Sequence, residues 1–268
     1  MTSVSTKTSK NYSSGYKSDY SYQLPLIRVN NLEKQDYEDM VVVETPLGLI
    51  VNGKYENTFL CSPFKFKELA VGYLCSKNLI DCKEDILKLE IDYKKNIVYI
   101  DIKESKFNND NSDDIFYLND YDFIKTSYIH DDDIKVNVSD IYETMENHLN
   151  LSQVFKSTAG VHCVGIYENN KLVVAFEDVA RHNALDKVIG HCILNNIPLD
   201  NKIVFVSGRF SFEMLKKTAR VKIPIIVAKS ATTSLVVEAS KKLNITLVGF
   251  VRGQKMNIYA NEHRIVFK

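Results

Sequence analysis

The rhythm of apolar and polar positions divides this chain into two unlike halves. In the second half, Ile225-Ile226-Val227 and Leu247-Val248-Gly249-Phe250-Val251 are nearly continuous apolar runs. Strands buried on both faces read this way. Between such runs apolar residues recur at helical spacing, as in Leu185, Val188, Ile189, Cys192 and Ile193. The pattern predicts a hairpin of 161–167 and 172–176 across the polar turn Glu168-Asn169-Asn170-Lys171. It then predicts helix 179–194, strand 202–206, helix 211–220, strand 223–228, helix 233–243 and strand 245–251, with 256–260 pairing after a tight turn. Such alternation implies βαβ units and a mostly parallel sheet covered by helices.

The first half is less regular. Residues 40–44 read as a strand, and Pro46-Leu47-Gly48 as its break. Leu49-Ile50-Val51 leads into Asn52-Gly53, a hairpin signal because both residues tolerate positive φ, and 54–61 is the returning strand. Ser62 and Pro63 suit the N-cap and first position of a helix through Asn78, with Phe66, Leu69, Ala70, Tyr73 and Leu74 on its apolar side. Residues 86–102 predict one or two strands around a turn at Lys94-Lys95-Asn96. Residues 104–122 are so polar and turn-forming that they read as an exposed loop. Asp140 and Glu143 suggest a capping box for a helix to about Leu151. The organisation is therefore a disordered or extended arm over 1–38, a smaller α+β domain with a mobile linker over 39–137, and an α/β domain over 138–268.

Composition narrows the class. The chain has 268 residues, 45% apolar and 25% charged, with a formal net charge of zero. That is a core-forming globular composition without a broad nucleic-acid footprint. No apolar run approaches a membrane span, and residues 1–22, rich in Ser, Thr, Lys and Tyr, lack the apolar stretch of a secretory signal, so a cytoplasmic protein is expected. Cys61, Cys75, Cys82, Cys163 and Cys192 are an odd set with no disulfide framework, expected to be mostly buried free thiols.

In an open α/β sheet, ligands bind beyond the carboxyl ends of the strands. Four loops should meet there: 177–183 with Arg181 and His182, 207–211 with Ser207 and Arg209, 229–234 with Lys229, and 252–255 with Arg252 and Lys255. Each carries a cation, and two carry hydroxyls at a helix start, where free N–H groups and the dipole favour anions. The set points to a phosphorylated ligand. No P-loop, Rossmann glycine fingerprint, zinc-protease motif or zinc-deaminase signature occurs. His162-Cys163 alone does not make a metal site and reads first as part of a buried strand.

Several long motifs carry a resemblance. They are Glu177-Asp178-Val179-Ala180-Arg181-His182-Asn183-Ala184-Leu185-Asp186-Lys187, Ser207-Gly208-Arg209-Phe210-Ser211, Ala231-Thr232-Thr233-Ser234-Leu235 and Leu247-Val248-Gly249-Phe250-Val251-Arg252-Gly253. With Glu44-Thr45-Pro46-Leu47 and Ser62-Pro63 in the first half, the sequence resembles the formate dehydrogenase accessory sulfurtransferase (FdhD) family from about Val42 to Tyr259. The resemblance implies a three-layer α/β/α, cytidine-deaminase-like domain without the deaminase zinc site. It implies a cytoplasmic homodimer that accepts sulfur from a cysteine desulfurase. The sulfur goes to the molybdenum bis-guanine-dinucleotide cofactor of formate dehydrogenase, for which GDP is a partial mimic. It also implies cofactor contacts in the turn Phe250, Val251, Arg252, Gly253, Gln254 and Lys255.

One departure stands out. The family's persulfide carrier lies in a Cys-x-x-Cys motif in the stretch joining the two halves. Here the corresponding residues, about 124–131, hold no cysteine, and no Cys-x-x-Cys occurs anywhere; Cys75 and Cys82 are the nearest pair. Either the chain binds the cofactor without carrying sulfur, or another thiol serves, with Cys163 beside His162 the best candidate. A hydrolase or deaminase on this fold is the third option, disfavoured by the missing zinc ligands and nucleophile triad.

Overall fold

The computed structural model describes residues 19–103 and 134–267. The expectations for the first 18 residues, for the whole polar loop 104–122 and for 124–131 fall outside that range. Ordered structure begins earlier than residue 39. Strands β1 (Ser21–Asn30) and β2 (Glu33–Val42) form an antiparallel two-stranded sheet, each ten residues long. Pro25 lies within β1. In a two-stranded sheet each strand has a free edge, where a missing N–H costs nothing.

The first compact sheet has the order β4-β3-β6-β5. Its strands are β3 (Thr45–Val51), β4 (Lys54–Cys61), β5 (Ile86–Asp92) and β6 (Ile97–Ile102). The Asn52-Gly53 turn forms as predicted, with φ of 48° and 75°. Pro46 does not break β3, since the β6 ladder on that strand starts only at Gly48. Ser62 is not a helix cap. Helix α1 (Phe66–Ser76) starts later, from Lys65 in the left-handed region, and Ser62 is buried in contacts with the second half.

The second half is a six-stranded sheet of order β13-β12-β11-β10-β8-β9. It comprises β8 (His162–Glu168), β9 (Lys171–Asp178), β10 (Ile203–Val206), β11 (Ile225–Ala228), β12 (Thr246–Arg252) and β13 (Lys255–Ala260). The sheet is mixed, not mostly parallel. Only β10–β11 and β11–β12 pair in parallel, while the β8–β9 and β12–β13 hairpins and the β8–β10 pair are antiparallel. Each hairpin that the sequence predicted reverses the chain and so adds an antiparallel ladder.

Helices α4 (Arg181–Leu194), α5 (Phe212–Arg220) and α6 (Ser234–Lys242) connect β9 to β10, β10 to β11 and β11 to β12. All three crossovers step the same way across the sheet. Right-handed crossovers stepping one way must put their helices on one face, and the three helices share one apolar cluster. The other face packs under α2 (Val138–Leu151), through Ile141 and Met145 on Phe205, Val227 and Val248. Asn137, not Asp140, is the N-cap residue of α2; Asp140 lies at the third helical position and accepts from Asn137 Nδ2 at 2.8 Å. Helix α3 (Gln153–Thr158) follows, and β7 (Val136–Asn137) pairs with β14 (Ile265–Val266). No helix among the described residues is long and apolar enough to cross a membrane.

The two halves share one core. Leu47, Leu49, Leu69, Leu74 and Ile100 of the first half belong to the same cluster as Leu185, Val188 and Ile226 of the second. At the seam α1 and α4 touch backbone to backbone. A Cβ on Gly72 would lie 1.9 Å from the Asp186 carbonyl oxygen, and one on Gly190 would lie 1.9 Å from that of Glu68. Beside this contact Lys217 of α5 is ion-paired with buried Asp186, which also accepts from Ser76 Oγ of α1 at 2.9 Å.

Two predictions follow from this packing. Gly190→Ala must push two backbones apart and should lower unfolding stability by roughly 3 kcal/mol or more. Gly48→Ala, whose nearest neighbour would be 3.5 Å away, should change little; urea melts of both variants check the contrast. The second concerns His148 of α2, which is fully buried between Tyr167 Oη at 3.1 Å and the Cys163 carbonyl at 3.2 Å. The carbonyl only accepts, so Nε2 carries the proton and Nδ1 accepts from the tyrosine. Burial pushes this imidazole down to about 4. A depressed histidine favours the fold while neutral. Its contribution is full above about pH 6.5, is lost as pH falls from there to about 4, and amounts to roughly 3 kcal/mol. The pH slope of stability between 6.5 and 4.5 should be shallower in His148→Gln than in wild type.

Candidate functional site

The carboxyl ends of β10 and β11 open into a cavity of about 420 Å³, within the usual range for small-ligand sites. Ser207, Gly208 and Arg209 line it from the loop after β10, and Lys229 and Ser230 from the loop after β11. His162 and Cys163 enter from the start of β8, which runs the opposite way and so begins at this edge. Arg181 enters from the first turn of α4. Leu149, Ser152 and Phe155, at the elbow between α2 and α3, complete the wall.

Backbone bonds hold the loops in place. Ser207 N–H donates to the Cys163 carbonyl at 3.0 Å, and Cys163 N–H donates back to Ser207 Oγ at 2.9 Å. Lys229 N–H reaches the Val206 carbonyl at 3.0 Å. Ser207 thus continues the β8–β10 ladder through its side chain, a stronger constraint than the turn residue the sequence suggested.

The cavity wall is positive. Among the described residues it contains three cations and no carboxylate. Among the described residues no ion pair engages Arg181, Arg209 or Lys229, and Arg181 Nε is buried without a hydrogen-bond partner. Arg181 also sits at the positive end of α4, whose first turn has no acidic residue. Cations are disfavoured there unless they face an anion. Burial, then Arg181 and Arg209, hold the His162 imidazole below its ordinary range, against a smaller opposing effect of Asp178.

Of the sequence candidates, Arg181, Ser207, Arg209, Lys229 and Cys163 come together on this wall. His182 does not line it; its Nδ1 lies 3.5 Å from Glu213 Oε2. The turn Phe250 to Lys255 lies next to the cavity rather than on its wall, on the far side of β11 from β8. Phe250 N–H donates to the carbonyl of Ser230, a wall residue, at 3.2 Å, and a bulge turns its ring outward at a φ of 55°. Val251 is buried, Arg252 stands 5.8 Å from the Phe250 ring, and Gly253, Gln254 and Lys255 are exposed. Sequence reasoning missed the elbow residues Leu149, Ser152 and Phe155. Only Ser152 carried a local signal, as the cap that accepts from Phe155 N–H at 3.1 Å.

Burial shields four of the five thiols. Burial, with a further contribution from Glu177, pushes Cys163 up to about 12. Cys61 and Cys192 are also pushed up to about 12, chiefly by burial, and Cys75 is buried. Cys82 is the exposed one. Among the described residues no group of three His, Cys, Asp or Glu side chains is placed to hold a metal ion.

Comparison with known proteins gives a consistent picture. A model of the FdhD/NarQ family matches residues 42–266. The sulfur carrier protein FdhD of Bacillus pumilus is 38% identical over 240 residues, covering 85% of this chain and 90% of the relative. Its counterpart in Bacillus subtilis is 34% identical over 240 residues, with 85% and 91% covered. A crystal structure from Desulfotalea psychrophila, described as a formate dehydrogenase accessory protein, superposes with a TM-score of 0.78. It covers 92% of this chain and 100% of that one at 24% identity, a likeness of fold.

Thiol burial gives a direct test. In the native protein an aromatic disulfide reagent should label one cysteine quickly, Cys82, and the other four only on unfolding. Cys82→Ser should abolish the fast phase; rapid labelling of Cys163 would contradict the burial argument.

Proposed function

The chain belongs to the FdhD/NarQ family, and on that footing we propose that it is a formate dehydrogenase accessory protein whose cavity binds the guanine-dinucleotide form of the molybdenum cofactor as cargo. The observation that carries the reading is the grouping of Arg181, Arg209 and Lys229 around one cavity, with no carboxylate on its wall among the described residues. Three such charges facing each other repel unless an anion lies between them. Phosphate oxygens are the matching acceptors, with the arginines giving directional pairs and Lys229 a point charge. The Phe250–Lys255 turn, joined to the wall through Ser230, is placed to meet whatever extends from the cavity, such as a guanosine end. The three-layer cytidine-deaminase-like arrangement, the homodimer, the cytoplasmic setting, the supply of sulfur by a cysteine desulfurase and delivery to formate dehydrogenase belong to the same proposal.

In this reading cargo binding and sulfur carriage separate. Binding rests on charges that are present. Sulfur carriage needs an accessible thiolate, and the one thiol on the cavity wall is Cys163, held neutral by burial. A second reading, with Cys163 as the sulfur carrier, is favoured only by that position. It requires the start of β8 to open enough to admit a sulfur donor.

GDP titration by calorimetry tests the binding site. Arg209→Ala and Lys229→Ala should each weaken binding by about tenfold or more, as loss of a charged hydrogen bond to phosphate does. Unchanged affinity in both variants would reject the cavity. A loss confined to Arg252→Ala and Lys255→Ala would move the site to the turn.

A further inference from the structure

One side chain of the cavity is left over when the three cations are assigned to phosphate. His162 is the first residue of β8, half-buried, and on the cavity wall. The loop after β10 makes room for it. A Cβ at Gly208 would lie 2.9 Å from His162 Nδ1 and 3.2 Å from Cε1. Glycine at that position lets the imidazole lie against the loop that presents Ser207 and Arg209. Yet among the described residues neither ring nitrogen of His162 has a hydrogen-bond partner. The contrast with His148, which uses both of its nitrogens, is direct. A half-buried imidazole packed to fit but unpartnered, facing a cavity, is built for a ligand.

We infer that His162 is a ligand-contacting residue of this cavity, and that the cavity takes up its phosphorylated ligand together with a proton on the His162 imidazole. The inference rests on the anion-binding reading above. The charged and titratable groups that face the ring account for the coupling. Arg181 and His182 stand on α4, Arg209 on the loop after β10, and Asp178 at the end of β9. Lys229 shares the wall from the loop after β11, and the thiol of Cys163 is next in sequence. The elbow of α2 and α3 contributes Leu149, Ser152 and Phe155, none of them ionisable. Without a ligand, burial first and then the two guanidinium groups oppose a positive charge on the ring and favour the neutral imidazole. A diphosphate between them cancels that opposition and adds negative charge beside the ring. The proton comes from solvent, and the imidazolium then offers a second N–H to a phosphate oxygen. Linkage is reciprocal: if the anion favours the proton, the proton favours the anion to the same degree. Affinity must therefore rise as pH falls from the histidine's bound-state value towards its lower free-state value.

The probe should carry no titrating phosphate of its own. Diguanosine diphosphate has both phosphates in ester linkage and keeps its charge between pH 6 and 8, so only the protein titrates. Calorimetry at pH 7 in two buffers of different ionisation enthalpy reads the protons taken up. Wild type should take up part of a proton and bind roughly three- to tenfold more tightly at pH 6 than at pH 8. His162→Gln, which keeps a hydrogen-bonding side chain, should bind with no uptake and a flat pH profile. A merely structural role for His162 would alter affinity without altering proton uptake. Binding to wild type without proton uptake, or equal uptake in His162→Gln, overturns the inference while leaving the anion cavity standing. No binding at any pH overturns the cavity reading, and this inference with it.

Discussion

The structure turns on one buried carboxylate. Asp178, fully buried at the end of β9, receives Lys187 Nζ at 2.6 Å and the Ser62 N–H at 3.1 Å on one oxygen. Its other oxygen receives the Ala180 N–H at 2.9 Å and Asn183 Nδ2 at 3.1 Å. Asn183 also donates to the Leu60 carbonyl, and Ser62 Oγ accepts from the Val179 N–H. A single side chain thus ends a strand, starts α4 and ties the end of β4 to both. A buried ion pair adds little net stability over an apolar packing, but losing one partner leaves a bare charge and is costly. Its value here is positional. It determines where the first turn of α4, and with it Arg181, meets the sheet edge.

The cavity depends on that placement and on the reversal of β8. Parallel strands alone would bring the loops after β10 and β11 to one edge. The antiparallel β8 adds its starting residues, His162 and Cys163, to the same edge. The result gathers cations with no counter-ion on the wall among the described residues, which is electrostatically unfavourable without an anion between them. Strain of this kind is tolerated at binding sites because the ligand relieves it. The same burial that shapes the wall suppresses its thiol. Cys163 lies with its carbonyl and N–H bound to Ser207 and its side chain out of water. The features that make a good anion site therefore work against an exposed sulfur nucleophile at that position.

Much of this was legible in the residues. The turns at Asn52-Gly53 and Glu168–Lys171, and the order of strands and helices from β8 to β13, followed from periodicities of two and 3.6 and from residues that tolerate positive φ. Those are local properties of the chain, and so was the presence of a cation in each loop after a strand. The misleading signals are local too. Ser62-Pro63 looks like a helix start until Asp178, more than a hundred residues away, claims the Ser62 N–H. Pro25 argues against a strand unless that strand is an edge. The hairpin turns are local, whereas the antiparallel ladders they impose are a property of the assembled sheet, so alternation of strands and helices alone overstates its parallel character.

By itself the sequence determined the family, through long motifs, the alternation of elements, and the absence of a cysteine pair, because these depend only on residue identity and spacing. The tertiary structure alone decided which candidates share a wall. It put Arg181, Arg209, Lys229, His162 and Cys163 on one cavity, turned His182 to Glu213 and set the Phe250–Lys255 turn beside the site. It also decided that Cys163 is a buried neutral thiol and that His162 lacks a partner among the described residues. Burial and charge environment arise from segments far apart in the chain, so no local pattern encodes them.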